Sequence, residues 1–291
     1  MRMAAFTIAE KPGVGLVSAD EKTVSIFDLP ADEAIQGVLP LIGQSNSELP
    51  PINGVVALSE VTLRAPIPHP KRNLFCVGKN YHEHALEFTA SGFDSSAGTD
   101  PVPGEPIIFS KLPETVIPTG AAIKINRKVS EAIDYEAELA VVIGKEARSV
   151  SKADALDLVW GYTLVNDVTA RDLQLRYKQW LIGKSQDTFC PMGPWVVTPD
   201  EIDFATMTIR GLVNGEVRQE ARVTQLIFDI PTIISTISAG ITLMPGDVIC
   251  TGTPAGVGIG FTPPKYLSAG DVVRVEADGI GALENLVEWC G

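Results

Sequence analysis

Cysteine is scarce and poorly placed for bridging. The 291-residue chain carries four, Cys76, Cys190, Cys250 and Cys290, with no C-x-x-C pair. That spacing argues against a disulfide framework and for free thiols in a reducing compartment, the cytoplasm first and the mitochondrial matrix second. Histidine is scarcer still. His69, His82 and His84 are too few and too clustered for a His-based zinc site. Runs of Lys and Arg are missing, and the formal net charge is −13 with a pI of about 4.7. Neither nucleic acid nor an anionic membrane surface is therefore an expected partner. No apolar run reaches bilayer length, and "MRMAAFTIAEKPG" lacks the apolar core and cleavage pattern of a secretory signal. A small-molecule partner remains, and it can be an anion, because a pocket can be locally positive on an acidic protein.

What is present is apolar and strand-like. Hydrophobic residues make up 45% of the chain, enough for one large domain or one domain with a small annex. Residues 1–66 read as short alternating strands with one short helix near 31–43, a small N-terminal β-rich domain. The basic, Pro-rich "RAPIPHPKRN" looks like the linker to a second domain over 67–291. There the runs "LFCVG", "PIIFSK", "AELAVVIG", "GYTLVNDV", "TIRGLVNGE" and "DVICTG" predict strands, and "ADGIGAL" predicts a hairpin turn. Three helices are predicted. One lies in "SKADALDLVW", with a Ser151–Asp154 capping pattern, one in "TARDLQLRYKQW", and one in "FDIPTIISTISAG". The expected fold class is mostly β (α+β), a sandwich or roll with a few peripheral helices. The aperiodic stretch 91–105 reads equally well as a binding loop or as a surface insertion.

One strand carries an anomaly. "AIDYEAELAVVIGK" places Glu136 and Glu138 in an apolar run with no Lys or Arg between them. Alternation puts both on one face, roughly 6–7 Å apart. If that face is buried, the two carboxylates repel and raise each other's pKa, and a divalent cation relieves them. Oxygen-only ligands suit Mg²⁺ or Mn²⁺, with Ca²⁺ a third option. If the face is exposed, they are ordinary surface charge. Asp167, at the end of "GYTLVND", adds a third carboxylate and completes half of an octahedral shell.

With these residues in place the chain resembles the fumarylacetoacetate hydrolase family. The resemblance rests on "DYEAELAVVIG", "NDVTARDLQ", "GKSQDTFCPMGPWVVT" and "PGDVICTGTPAGVG", in that order over about residues 70–291. It is closest to short members of the acylpyruvase, oxaloacetate decarboxylase and oxaloacetate tautomerase types. It implies a mixed β-sandwich roll, a homodimer, and a Mg²⁺ or Mn²⁺ site on Glu136, Glu138 and Asp167. A further upstream metal-binding Asp of the fumarylacetoacetases has no counterpart in "FCVGKNYHEHALEF", which favours smaller 2-oxo acids.

The resemblance also gives roles to other residues. His84 and Glu87, at i and i+3 on a helical turn, match a pair that activates water. Lys184 matches a lysine placed to stabilise an enolate. Arg171 and Gln174, again at i and i+3, face a carboxylate in this reading, and Arg171 as a structural ion-pair partner is the alternative. Lys111 is a further candidate for the same anion, and Thr253 matches a substrate-contacting threonine. "TGTPAGVGIG" lacks the G-K-[ST] ending of a P-loop, so its glycines are expected to bring backbone N–H groups to a substrate carboxylate. The expected activity is metal-dependent chemistry on a small 2-oxo acid. Hydrolysis of a C–C bond in acylpyruvates comes first, and oxaloacetate tautomerisation or decarboxylation is the alternative. A non-catalytic calcium-binding β-domain is the remote rival.

Overall fold

Every residue of the strand Ala137–Ile143 is buried, and the large sheet is built around it. It pairs antiparallel with Val159–Asn166 along one edge and, over Ala140–Val142, with Val248–Cys250 along the other, where Gln219 and Thr253 take over the backbone groups of Ala137. Alternation divides its side chains between two cores. Leu139, Val141 and Ile143 enter one, and Ala140 and Val142 enter the other. In this computed structural model the described residues are 1–44, 47–94 and 100–290.

The sheet runs in the order 52–57, 23–27, 11–17, 2–8, 190–197, 159–166, 137–143, 248–250, 74–78, 107–111. Its neighbours are antiparallel except at Val248–Cys250 against Leu74–Gly78, where Ile249 faces Phe75 and Cys250 faces Cys76. The strand Arg2–Ile8 joins the sheet at Cys190–Val197, and Ala4, Phe6 and Val24 share a core with Leu139. A second, five-stranded sheet runs 216–222, 208–213, 272–277, 281–289, 123–125. Ile209, Val275 and Leu283 from it meet Leu139 and Leu164 from the first. The result is the expected mixed sandwich, and the turn at 278–280 joins its last two strands as "ADGIGAL" predicts.

Helices sit at the periphery. Ile230–Ser238 buries Ile230, Ile233, Ile234 and Ile237, the i, i+3, i+4, i+7 stripe of an amphipathic helix, against the inter-sheet core. Asp229 caps it by accepting from the Thr232 N–H at 2.9 Å. The expected helix at 151–160 is only a 3₁₀ turn, Ala155–Leu158. The Ser151–Asp154 pair does form, at 2.6 Å. The chain is then drawn into the sheet at Val159, where pairing with Ala137–Ile143 overrides the local capping signal. Near 31–43 the helical reading shortens to Ala31–Ala34, and Gly37 at φ +68° turns the chain away. Among the described residues no helix is long and apolar enough to cross a membrane.

Removing the cap on Ile230–Ser238 should weaken the fold without touching the site described next. Asp229→Ala is expected to cost about 1 kcal/mol in chemical denaturation, with ligand and metal binding unchanged.

Candidate metal centre and active site

Strand register brings three carboxylates together. Ala137 pairs with Asn166 and Glu138 with Val165. Glu136 and Asp167 therefore lie side by side just beyond the paired ends, joined by Asp167 N–H to Glu136 O at 2.9 Å. Ligand oxygens of Glu136, Glu138 and Asp167 all lie within 4.8 Å of one another, and all three side chains are buried. The surface-charge reading of Glu136 and Glu138 is therefore wrong.

Cations surround this cluster unevenly. Lys184 Nζ donates to Glu136 Oε2 at 2.7 Å and to Asp167 Oδ2 at 2.8 Å. Lys111 Nζ donates to Asp167 Oδ1 at 2.7 Å, to Val168 O at 3.1 Å and to the Lys184 carbonyl. Arg171 reaches Asp134 through Nε at 2.8 Å and Glu136 through Nη1 at 2.7 Å. Glu138 accepts only the Gly252 N–H, at 2.8 Å, and among the described residues no cation pairs with it. Four buried acids (Asp134, Glu136, Glu138, Asp167) thus face three buried cations (Lys111, Arg171, Lys184). The surplus charge rests on Glu138.

The titration behaviour follows this arrangement. Burial alone would raise Glu136, but Lys184 and Arg171 overcome it and hold the carboxyl down to about 2. Glu138 is pushed well above the usual carboxylate range by burial, then by Asp167 and Glu136. An all-oxygen set carrying one unmatched negative charge fits a hard divalent cation.

The other expected residues are placed around a cavity beside the cluster. Arg171, Gln174, Lys184, Thr253 and His84 all line it with Glu136 and Glu138. Among the described residues, buried Arg171 Nη2 has no hydrogen-bond partner. His84, on the helix His82–Ala90, directs Nδ1 at Glu87 Oε2, 3.2 Å away, which leaves Nε2 for the cavity. Glu87 is held from behind by the Gly256 N–H at 3.0 Å.

Two expectations change. Lys111 does not reach the cavity: it is fully buried behind Asp167, and its ammonium is used on that carboxylate and two carbonyls. The amides of the Gly-rich loop do not wait for substrate. Gly252 serves Glu138, Gly256 serves Glu87, and Gly258 and Ile259 serve Asp134 at 2.6 and 3.0 Å. Gly256 permits this close approach, because at φ +98° a Cβ would lie 1.8 Å from Arg218 O.

Three contributors went unnoticed in the sequence. Asp134 shares the alternation of Glu136 and Glu138 and was legible there. Trp180 and Phe109, which wall the cavity 5.1 Å apart between centroids, carried no signal. Of the stretch 91–105, residues 95–99 lie outside the described residues. Just before them Asp94 pairs with Lys79 Nζ at 2.8 Å.

Residues 73–288 match the family described as fumarylacetoacetate (FAA) hydrolase, C-terminal. The chain belongs to the fumarylacetoacetate hydrolase family. It is 49% identical over 232 residues to oxaloacetate tautomerase YisK of Bacillus subtilis, covering 79% of this chain and 74% of that protein. Among solved structures it is similar to the fumarylacetoacetate hydrolase of Exiguobacterium antarcticum, with a TM-score of 0.84, 36% identity and full coverage of both chains. It is also similar to maleylpyruvate hydrolase of Sphingobium sp. SYK-6, solved with manganese(II) and pyruvate, with a TM-score of 0.76, 28% identity and full coverage of both chains. A fumarylacetoacetate hydrolase family enzyme with a buried acidic trio is thus equipped to bind a divalent metal.

Glu138 gives this site a distinctive pH signature. Its folded-state pKa lies above its unfolded value, so metal-free protein should lose stability as pH rises from the ordinary carboxylate range through the raised value. Glu138→Gln should remove that loss and raise the melting temperature of metal-free protein at neutral pH. It should also abolish the stabilisation that Mg²⁺ or Mn²⁺ confers on the wild type. Thermal denaturation across pH, with and without EDTA, checks both halves.

Proposed function

We propose that this chain is a divalent-metal-dependent oxaloacetate tautomerase, interconverting the enol and keto forms of that 2-oxo acid. In this reading residues 67–291 are the catalytic part and residues 1–66 an accessory part. The observation that carries it is the cavity. An unpartnered Arg171 Nη2, the Lys184 ammonium and the outer nitrogen of a Glu-oriented His84 converge beside the carboxylate trio. The similarity to a relative named as an oxaloacetate tautomerase supports the choice of substrate.

Each side chain has a part. Glu136, Glu138 and Asp167 would hold the ion, with Mg²⁺ or Mn²⁺ preferred, and it would supply Lewis-acid polarisation of the 2-oxo acid. Arg171 Nη2 and Gln174 orient the carboxylate by charge-assisted hydrogen bonds. His84 Nε2 moves the proton at C3, and Glu87 keeps the ring in the tautomer that leaves Nε2 basic. Lys184 faces the oxygen at C2, where negative charge develops as the C3 proton leaves and which is protonated in the enol.

Hydrolysis of a C–C bond in acylpyruvates is the second reading. The His84–Glu87 pair favours it, because the same geometry can activate water, and a structural neighbour is named as a hydrolase. Decarboxylation of oxaloacetate shares the early steps. We extend the proposal to a homodimer, supported by exposed Tyr177, Leu181 and Ile182 within one short stretch. A reducing compartment, cytoplasm or mitochondrial matrix, is supported by free cysteines at all four positions.

The test runs three assays in parallel on metal-loaded protein: enol–keto exchange of oxaloacetate, its decarboxylation, and acetylpyruvate cleavage. Exchange should dominate, disappear with EDTA and return with Mg²⁺ or Mn²⁺. His84→Ala should lower exchange ~10²–10⁴-fold, the usual contribution of a general base. Exchange no faster than in buffer would sink the tautomerase reading. Loss of cleavage alone in the His84 variant would promote the hydrolase. Light scattering at micromolar concentration should show a dimer, and a clean monomer would refute that part.

A further inference from the structure

Gln219 is fully buried on the strand Glu216–Arg222 of the second sheet, yet its amide reaches the active site of the first. Three contacts determine which end is which. The Ala137 N–H donates to Oε1 at 3.0 Å, while Nε2 donates to the Pro254 carbonyl at 2.7 Å and to Thr253 Oγ1 at 2.7 Å. A backbone N–H only donates and a carbonyl only accepts, so the amide has one orientation. Both Nε2 hydrogens are then committed. Thr253 Oγ1 receives one of them, and its own hydrogen goes to Ala137 O at 3.1 Å. A hydroxyl has one hydrogen and two lone pairs. Thr253 lines the cavity, and these two bonds leave its hydroxyl one lone pair and no hydrogen to offer a ligand.

We infer that Gln219 positions Thr253 as a hydrogen-bond acceptor only, so that this part of the cavity wall selects a ligand bearing a protonated oxygen over one bearing an anionic oxygen. The fitting ligands are the enol of a 2-oxo acid and the hydroxyl of a 2-hydroxy acid. An anionic oxygen here would face a lone pair and go unpaired in a buried site, which is costly. To donate, Thr253 would have to release Ala137 O, in the residue between Glu136 and Glu138. The second sheet leaves room for the arrangement at Gly211, where a Cβ would come within 2.6 Å of Gln219 Oε1. The enol part of this inference rests on the proposed function, since enol and keto oxaloacetate differ in whether one proton sits on the C2 oxygen or on C3. Anion recognition then falls to Arg171, on a different element.

The experiment is calorimetric titration of the full-length, Mg²⁺-loaded protein with glycolate, malate and oxalate. Glycolate and malate carry a hydroxyl beside a carboxylate, and oxalate carries no proton at neutral pH. Thr253→Val should weaken glycolate and malate about tenfold and oxalate less than about twofold, the size expected for one buried hydrogen bond. Thr253→Ser should restore the hydroxy acids. Oxalate weakened as much as the hydroxy acids would show that Thr253 donates, and an unchanged pattern would show that it touches neither; either result overturns the inference. Gln219→Met lets the hydroxyl turn, so the preference for hydroxy acids over oxalate should narrow while metal binding persists. An unchanged preference in that folded variant removes Gln219 from the positioning role. These are binding measurements, so a wild type lacking enol–keto exchange would sink the proposed function and leave this inference to its own result.

Discussion

A carboxylate without a cationic partner, on a strand buried from end to end, is the constraint around which the site is arranged. Glu138 sits among Ala137, Leu139 and Ala140 with one backbone N–H for company. An isolated buried charge is among the most expensive things a fold can contain. The neighbouring acids are each matched: Asp134 by Arg171, Glu136 by Arg171 and Lys184, Asp167 by Lys111 and Lys184. Had the cluster been built for stability alone, a fourth cation or an apolar residue at position 138 would have served better. The imbalance makes sense if a divalent ion turns the net single negative charge into a single positive one, which an anionic substrate would then offset. It also explains why Lys184 touches two of the three ligands, since it holds their oxygens together while remaining beside the place where substrate charge develops.

The Gly-rich loop follows from the same constraint. Its amides reach Glu138, Glu87 and Asp134, three carboxylates in three different settings: Glu138 in the acidic trio, Glu87 beside His84, and Asp134 on Arg171. One loop therefore sets the relative positions of the acidic trio, His84 and Arg171, the groups to which the proposed function gives metal binding, proton transfer and anion binding. Backbone N–H groups suit this work because they add partial positive charge without a further cation that would compete with the metal. Among the described residues, Arg171 Nη2 is a buried side-chain donor left without a partner beside the cluster. In the proposed function that donor is the point of attachment for a small carboxylate.

Much of this was legible in the sequence, for reasons that particular residues make clear. Glu136, Glu138 and Asp167 were visible because a two-residue period inside an apolar run has few explanations, and burial then selected between them. His84–Glu87 and Arg171–Gln174 were visible because i, i+3 spacing brings side chains together on any helical turn. The mixed sandwich was visible in the predominance of strand runs. Lys111 was misplaced because which side of a carboxylate a lysine approaches depends on strand order, and 107–111 lies at the far edge of a sheet whose order local pattern does not encode. The 151–160 helix failed for the same reason, because its capping pair formed and sheet pairing prevailed. The loop glycines were read toward a ligand when their partners were the protein's own acids, which come from segments more than a hundred residues away.

The character of the cavity wall bears on which reaction follows. Phe88, Phe109 and Trp180 line the cavity beside the charged cluster, with Phe88 against Arg171, stacked on His84 and packed edge-on against Trp180, and Phe109 against Lys184. An aromatic wall excludes water and strengthens the electrostatic interactions inside. Hydrolysis needs a water seated between His84 and the substrate carbon, so it must overcome that exclusion. Enol–keto exchange needs no second reactant. It asks only that one proton leave carbon and one reach oxygen while the anion between them is stabilised. Lys184 and His84, brought to the same cavity from different elements, are the side chains that the proposed function assigns to those two requirements, and the aromatic part of the wall supports the proposed exchange over hydrolysis.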